Sequence, residues 1–194
     1  MKLFIIGNGF DLAHRLPTQY WDFRTYLKKH HHEFLCDFEQ HYSIYPGDSD
    51  KQKREILWNY FETNLANIND DIIVEDAVGI DMWLDGGDVG IEDTLYEYFQ
   101  NKYKYIENLS TYLKRWVQGI KIIKAKPITT KINSLEDNYY ITFNYTSTLE
   151  KIYKIDSLDI LHIHGSLYNS DPDPIIVHGN TEHLEAVKYK KRRC

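Results

Sequence analysis

Three observations predict an α/β fold: a Rossmann-like parallel sheet of about four or more strands, flanked by helices, with a helical insertion between the first and second strands. Short apolar runs of the kind that form buried strands recur at KLFII (2–6), YYITF (139–143), DILHIH (159–164) and PIIV (174–177). Segments with apolar residues at helical spacing separate them, as crossovers between parallel strands require. The first run ends in Gly7-Asn8-Gly9, a strand entering a tight turn.

The elements follow in order. After Pro17, Tyr20, Phe23, Tyr26 and Leu27 recur at helical spacing, predicting a helix over 18–32 with Thr18 as N-cap. A loop around 45–50 precedes a second helix over 51–65, carried by Ile56, Leu57, Phe61 and Leu65. Residues 66–93 hold nine acidic and no basic side chains, with four glycines interrupting any period, which reads as a solvated loop. The longest helical pattern covers 94–120, where Leu95, Tyr98, Phe99, Ile106, Leu109, Leu113, Trp116 and Val117 form an apolar stripe. A short helix over 147–153 joins the second and third strands. The expected organisation is one domain over 1–187, its helical insertion spanning about 18–120, followed by a basic tail over 188–194.

Composition narrows the function. With 23 Lys and Arg against 29 Asp and Glu the net charge is -6, the wrong sign for wholesale phosphate binding, so strong nucleic-acid binding is not expected. Two cysteines make neither a disulfide framework nor a four-cysteine zinc site. No run approaches the roughly 18 apolar residues of a membrane span. A cytoplasmic protein without membrane association is the expectation, and no metal is expected.

Three segments could carry chemistry. In FIIGNGFDLAH, a strand delivers Gly7, Asn8 and Gly9 into a helix start, where backbone N–H groups could seat a pyrophosphate. The third glycine of the dinucleotide pattern is replaced by Leu12, and the turn could equally require glycine only for a positive φ. Asp11 and His14 could orient a ribose or water, or cap the turn. In ITFNYTSTLEKIY, Asn144, Thr146 and Ser147 lie where a buried strand ends, the place where open α/β sheets bind ligands. The structural alternative is a helix capped by Thr146 or Ser147, with Glu150 closing a capping box from Ser147. In LHIHGSL, His162 and His164 share a strand face by period-two geometry, and Gly165 and Ser166 follow at the turn. His164 could be a general base, a metal ligand or a hydrogen-bonded structural histidine. His30, His31 and His32 read as a solvated helix surface, and Cys36 as a small buried side chain.

Read together, GNGFDLAHRLPTQYWDF from Gly7 to Phe23, LWNYFETNL with Trp58, Phe61 and Glu62, ITFNYTSTLEKIY, and HIHGS from His162 to Ser166 resemble the AbiH family of bacteriophage abortive-infection proteins. Two positions depart from the family pattern. Arg15 stands where a glycine is common, and IIVHGN around His178 and Gly179 replaces a Gly-His-Gly. Family members tend to continue further, so a short or truncated member is expected. The same blocks are more distantly similar to sirtuins and sirtuin-like NAD-degrading domains. Gly7-Asn8-Gly9, Leu16-Pro17 and Asp22-Phe23-Arg24 look like the sirtuin glycine turn, Thr142-Phe143-Asn144 like its Thr-Gln-Asn block, and His164-Gly165-Ser166 like its His-Gly-Ser block. The usual aspartate two residues after the asparagine is Thr146 here, and the sirtuin zinc module is absent.

These resemblances imply an anti-phage protein that binds NAD or a related nucleotide and hydrolyses the nicotinamide–ribose bond. Asn144 and His164 would be catalytic, with Gly7, Asn8, Gly9, Asp11, His14, Thr146, Gly165 and Ser166 binding the nucleotide. The alternative is a non-catalytic nucleotide sensor or interaction module. The expected partners are the nucleotide and either a second copy of the chain or another defence protein.

Overall fold

A computed structural model of the chain describes residues 1–65, 108–133, 137–165 and 167. The chain divides into two compact units, whose described parts are 1–30 with 108–167, less the gaps above, and 31–65. The stretch expected as a helical insertion is shared between them.

The first unit holds the sheet. Strands β1 (Lys2–Ile6), β2 (Asn138–Thr142) and β3 (Ile160–His162) lie in that order, all parallel. Phe4 pairs with Tyr140 and stacks on it at 5.2 Å, and Tyr140 pairs in turn with Ile160. Alternation places Phe4, Ile6, Tyr140 and Ile160 on one face, over a core completed by Ile132, Leu149, Tyr153 and Ile155. The other face presents Leu3, Ile5, Tyr139 and Leu161 outward. The fourth run, at 174–177, lies outside the described residues, so the sheet described is three-stranded.

Helix α1 (Gly9–Ala13) follows β1 directly. It closes through Leu16 N to Asp11 O and Arg15 N to Leu12 O, the double bond of a Schellman ending. Arg15 takes the left-handed position of that motif at φ 59°, where a Cβ is unfavourable and glycine is common. Helix α2 (Tyr20–His30) buries Phe23 and Leu27, and Phe23 lies 5.2 Å from Trp116 in the helix over 108–119. Thr18 does not cap α2. Its hydroxyl donates to Asn8 Oδ1, while Asp22 accepts from the Gln19 N–H at the helix start.

The second unit corrects two helical expectations. The pattern through His32 is two helices, because His31 (φ -144°, ψ 52°) breaks it and α3 (His32–Gln40) begins anew. α2 buries Phe23 and Leu27 in the first unit, and α3 buries Leu35 and Phe38 in the second. The helix expected over 51–65 is α4 (Asp50–Ile56), a 3-10 turn (Trp58–Tyr60) and α5 (Phe61–Asn64). Ser49 and Gln52 form a capping box at the start of α4, and Leu57 (φ -129°, ψ -55°) ends it. That break turns Leu57, Trp58 and Phe61 into the core, where the Trp58 indole donates to Glu39 Oε1 at 2.7 Å. Cys36 is half-buried beside His32 rather than fully enclosed. No helix among the described residues is long and apolar enough to cross a membrane.

Candidate functional site

Pairing continues past the strand ends at the carboxyl edge of the sheet. Phe143 N donates to the Ile6 carbonyl and Ile163 N to the Thr142 carbonyl, each at 3.0 Å. The segments that begin at Gly7, Phe143 and Ile163 therefore leave three adjacent strands side by side, the position where parallel sheets bind ligands. Asn144 sits at the centre of this edge. It is 6% exposed, and among the described residues its Oδ1 has no hydrogen-bond partner. A buried unpaired amide oxygen costs about 1–3 kcal/mol, and nothing among the described residues offsets that cost.

The glycine turn faces open space. Among the described residues a Cβ added at Gly7 or Gly9 would meet no atom within 4 Å, and neither residue has a positive φ. The turn therefore does not need glycine for its own conformation, unlike Gly165 at φ 75°. What the two glycines leave clear is the approach to their backbone. Asn8 instead ties the turn to the chain ahead, donating to Thr18 O at 2.9 Å and accepting from the Thr18 hydroxyl.

Beneath the edge lies a polar cluster. Asp11, 1% exposed, accepts hydrogen bonds from Thr146 at 2.5 Å and Thr148 at 2.7 Å, joining α1 to the segment after β2. Burial pushes the Asp11 carboxyl above its ordinary value, against the opposing pull of the two threonines, His14 and the Asn144 amide. His14 is fully engaged. Its Nδ1 donates to the Phe10 carbonyl at 2.7 Å, and its Nε2 meets the Tyr153 hydroxyl, which also accepts from Ile128 N. His162 bridges Glu150 Oε1 (2.9 Å) and the Asn144 carbonyl (3.3 Å). His164 packs edge-on to Phe143 and beside Tyr145, the two neighbours of Asn144.

The family model for bacteriophage abortive infection AbiH matches residues 3–192, nearly the whole chain. The chain belongs to the AbiH family. Membership places it among bacteriophage abortive-infection defence proteins. No curated protein and no solved structure matches it.

Of the residues singled out in this AbiH sequence, Gly7, Asn8, Gly9, Asn144, His164 and Gly165 come to the carboxyl edge. Asp11 and Thr146 are bonded to each other below it, His14 is bonded into the core, and Ser166 lies outside the described residues. The expected capping box at the helix α7 over Thr148–Tyr153, counting the 108–119 helix as α6, does not form. Ser147 makes no side-chain cap, and Glu150 is drawn to His162 instead. His162 and His164 also diverge, since β3 ends at His162 and the chain turns. Thr148 and Tyr153 are the participants that spacing alone did not bring forward, and Glu150, expected only as part of a cap, is the partner of His162. Among the described residues no group of three His, Cys, Asp or Glu side chains is placed to hold a metal ion.

Proposed function

We propose that the chain binds NAD or a related nucleotide at the carboxyl edge of β1–β3 and hydrolyses its nicotinamide–ribose bond. The observation that carries this reading is Asn144, buried at the strand end with its Oδ1 unsatisfied by any described residue, beside a glycine turn whose backbone is open. That Oδ1 offers an uncharged acceptor, suited to a ribose hydroxyl or a water, while the amide nitrogen is drawn to Asp11. The Gly7 to Gly9 turn would take the pyrophosphate, with Asn8 bracing it.

In the reaction, the bond from ribose C1′ to the nicotinamide nitrogen breaks. Its electron pair leaves with nicotinamide and neutralises the pyridinium charge. A water oxygen bonds to C1′, and its proton passes to His164 as general base. Asn144 would position ribose and water, which supplies the orientation such a cation-like transition state needs. Asp11 and Thr146 act one step removed, holding the segment that bears Asn144, and His14 has a structural role.

A non-catalytic nucleotide sensor is the second reading. It is favoured by the commitment of Asp11 to Thr146 and Thr148, which leaves its carboxylate turned to the chain itself. Incubation of the purified chain with NAD, following free nicotinamide by chromatography, separates the two. Release by the wild type, lost in His164→Ala and Asn144→Ala, is expected. Wild-type turnover in either variant would overturn the catalytic assignment, and NAD binding without release would establish the sensor.

A further inference from the structure

A cavity of about 660 Å³ opens in the first unit between the segment 14–17, α2 and residues 116–125, and none of its lining residues is one assigned to NAD. That volume falls within the range of small-molecule sites, roughly 300–1,000 Å³. Its lining divides into two chemistries. Trp116, Tyr26 and His30 bring rings to the lining, with Tyr26 4.8 Å from His30. Cations form the rim, with Arg15, Lys121 and Lys124, and no acidic side chain is among the lining residues although the whole chain carries a net charge of -6. Arg15, Lys121 and Lys124 make no side-chain hydrogen bond or ion pair with the described residues.

Arg15 is informative. It occupies the left-handed position of the α1 ending, where glycine would relieve the backbone. The chain keeps a planar, forked guanidinium at a place where its own stability favours losing it, and the guanidinium is the side chain best matched to a phosphate. Three cations on one rim suit an anion with several acceptor oxygens, and the rings suit a flat base, which stacks on aromatic faces.

We infer that this cavity is a second ligand site, for a nucleoside monophosphate, with the base against Trp116 and Tyr26 and the phosphate on Arg15, Lys121 and Lys124. It is separate from the proposed NAD site and does not depend on it.

The test is calorimetric titration of the full chain with AMP, run in the Asn144→Ala background so that the sheet edge is disabled. Retained AMP binding there is expected. Lys121→Glu/Lys124→Glu, both exposed positions, should lower the affinity about tenfold or more. Arg15→Gly should weaken AMP binding while raising the melting temperature, a combination that a folding defect cannot produce. Adenosine alone and inorganic phosphate alone should each bind more weakly than AMP. Absence of AMP binding in this background while the wild type binds AMP would place the ligand at the sheet edge and overturn the inference, as would no binding to either protein or unchanged affinity in the double variant. Phosphate binding as tight as AMP would overturn the nucleotide assignment. Nicotinamide release from NAD should be unchanged by the lysine double variant, so this site and the NAD reading can fail separately.

Discussion

Glu150 Oε1 lies 2.9 Å from His162 Nε2, with the two side chains 2% and 3% exposed, and this pair couples α7 to the end of β3. His162 reaches onward to the Asn144 carbonyl, so the same contact fixes the backbone of the candidate site. Removing one partner of a buried pair leaves the other group desolvated without compensation, at a cost of about 3–5 kcal/mol. Glu150→Ala is expected to lose stability on that scale in urea unfolding. Glu150→Gln, which keeps the shape and an acceptor, should lose clearly less. A loss under about 1 kcal/mol for Glu150→Ala would show that the pair does not organise the edge.

Asp11 makes a prediction about pH. Its folded-state carboxyl is raised above the ordinary value of 3.8, chiefly by burial, so between that value and the raised one the folded chain binds more protons than the unfolded chain. The Asp11 contribution to stability is therefore largest below 3.8 and declines as pH rises through the folded value. Asp11→Asn removes the titration while keeping an acceptor oxygen for one of the two threonines, the hydroxyl of the other being able to accept from the new amide NH2. Its stability relative to the wild type should rise from acid to neutral pH. A relative stability that falls or stays flat over that window, in denaturant titrations at matched ionic strength, would refute the role of burial at this carboxylate.

The sheet was legible because strands buried on one face or both declare themselves as apolar runs: β1 and β2 fall within one residue of KLFII and YYITF. Helix boundaries were less so. Neither break, at His31 or at Leu57, leaves a trace in local periodicity, and at Leu57 the change of direction brings Trp58 and Phe61 into the core. The edge residues Asn144 and His164 were legible from their place after strand ends. The polar contacts beneath were not, since Asp11 and Thr148 are 137 residues apart in sequence. Glu150 did leave a signal. It sits among the buried positions Leu149 and Tyr153, and a carboxylate in phase with a core face implies a buried partner. The matching partner, His162, is in phase with Ile160 on the inward face of β3.

The glycine turn separates folding from ligand binding. Since Gly7 and Gly9 have neither a positive φ nor, among the described residues, a neighbour within reach of a Cβ, alanine fits both positions in the unliganded chain. Gly9→Ala, at the first residue of α1, should be neutral or stabilise by about 0.4–1 kcal/mol through the unfolded state. The same substitution should weaken NAD binding, because the added methyl occupies the approach to the backbone. Thermal unfolding and equilibrium dialysis with NAD measure the two effects. Destabilisation beyond about 1 kcal/mol would mean that the turn needs glycine for itself, and unchanged NAD affinity in both alanine variants would move the pyrophosphate elsewhere.

Tyr153 tests the division between scaffold and site. Its hydroxyl accepts from Ile128 N at 3.1 Å and meets His14 Nε2 at 2.8 Å, linking α7, the segment ahead of β2 and α1. The Phe10 carbonyl can only accept, so His14 Nδ1 carries a proton, and a neutral ring leaves Nε2 to accept from the tyrosine. Tyr153→Phe keeps the ring packed against Phe10 and His14 but leaves the Ile128 N–H and His14 Nε2 without this partner. The expected loss is about 1–3 kcal/mol, read from denaturant unfolding. Turnover or affinity for NAD, measured well below the melting temperature, should stay near wild type because the side-chain bonds of Tyr153 and His14 go to Phe10 O and Ile128 N and to none of the residues assigned to NAD. A large loss of NAD affinity with little loss of stability would instead return His14 to the ligand site.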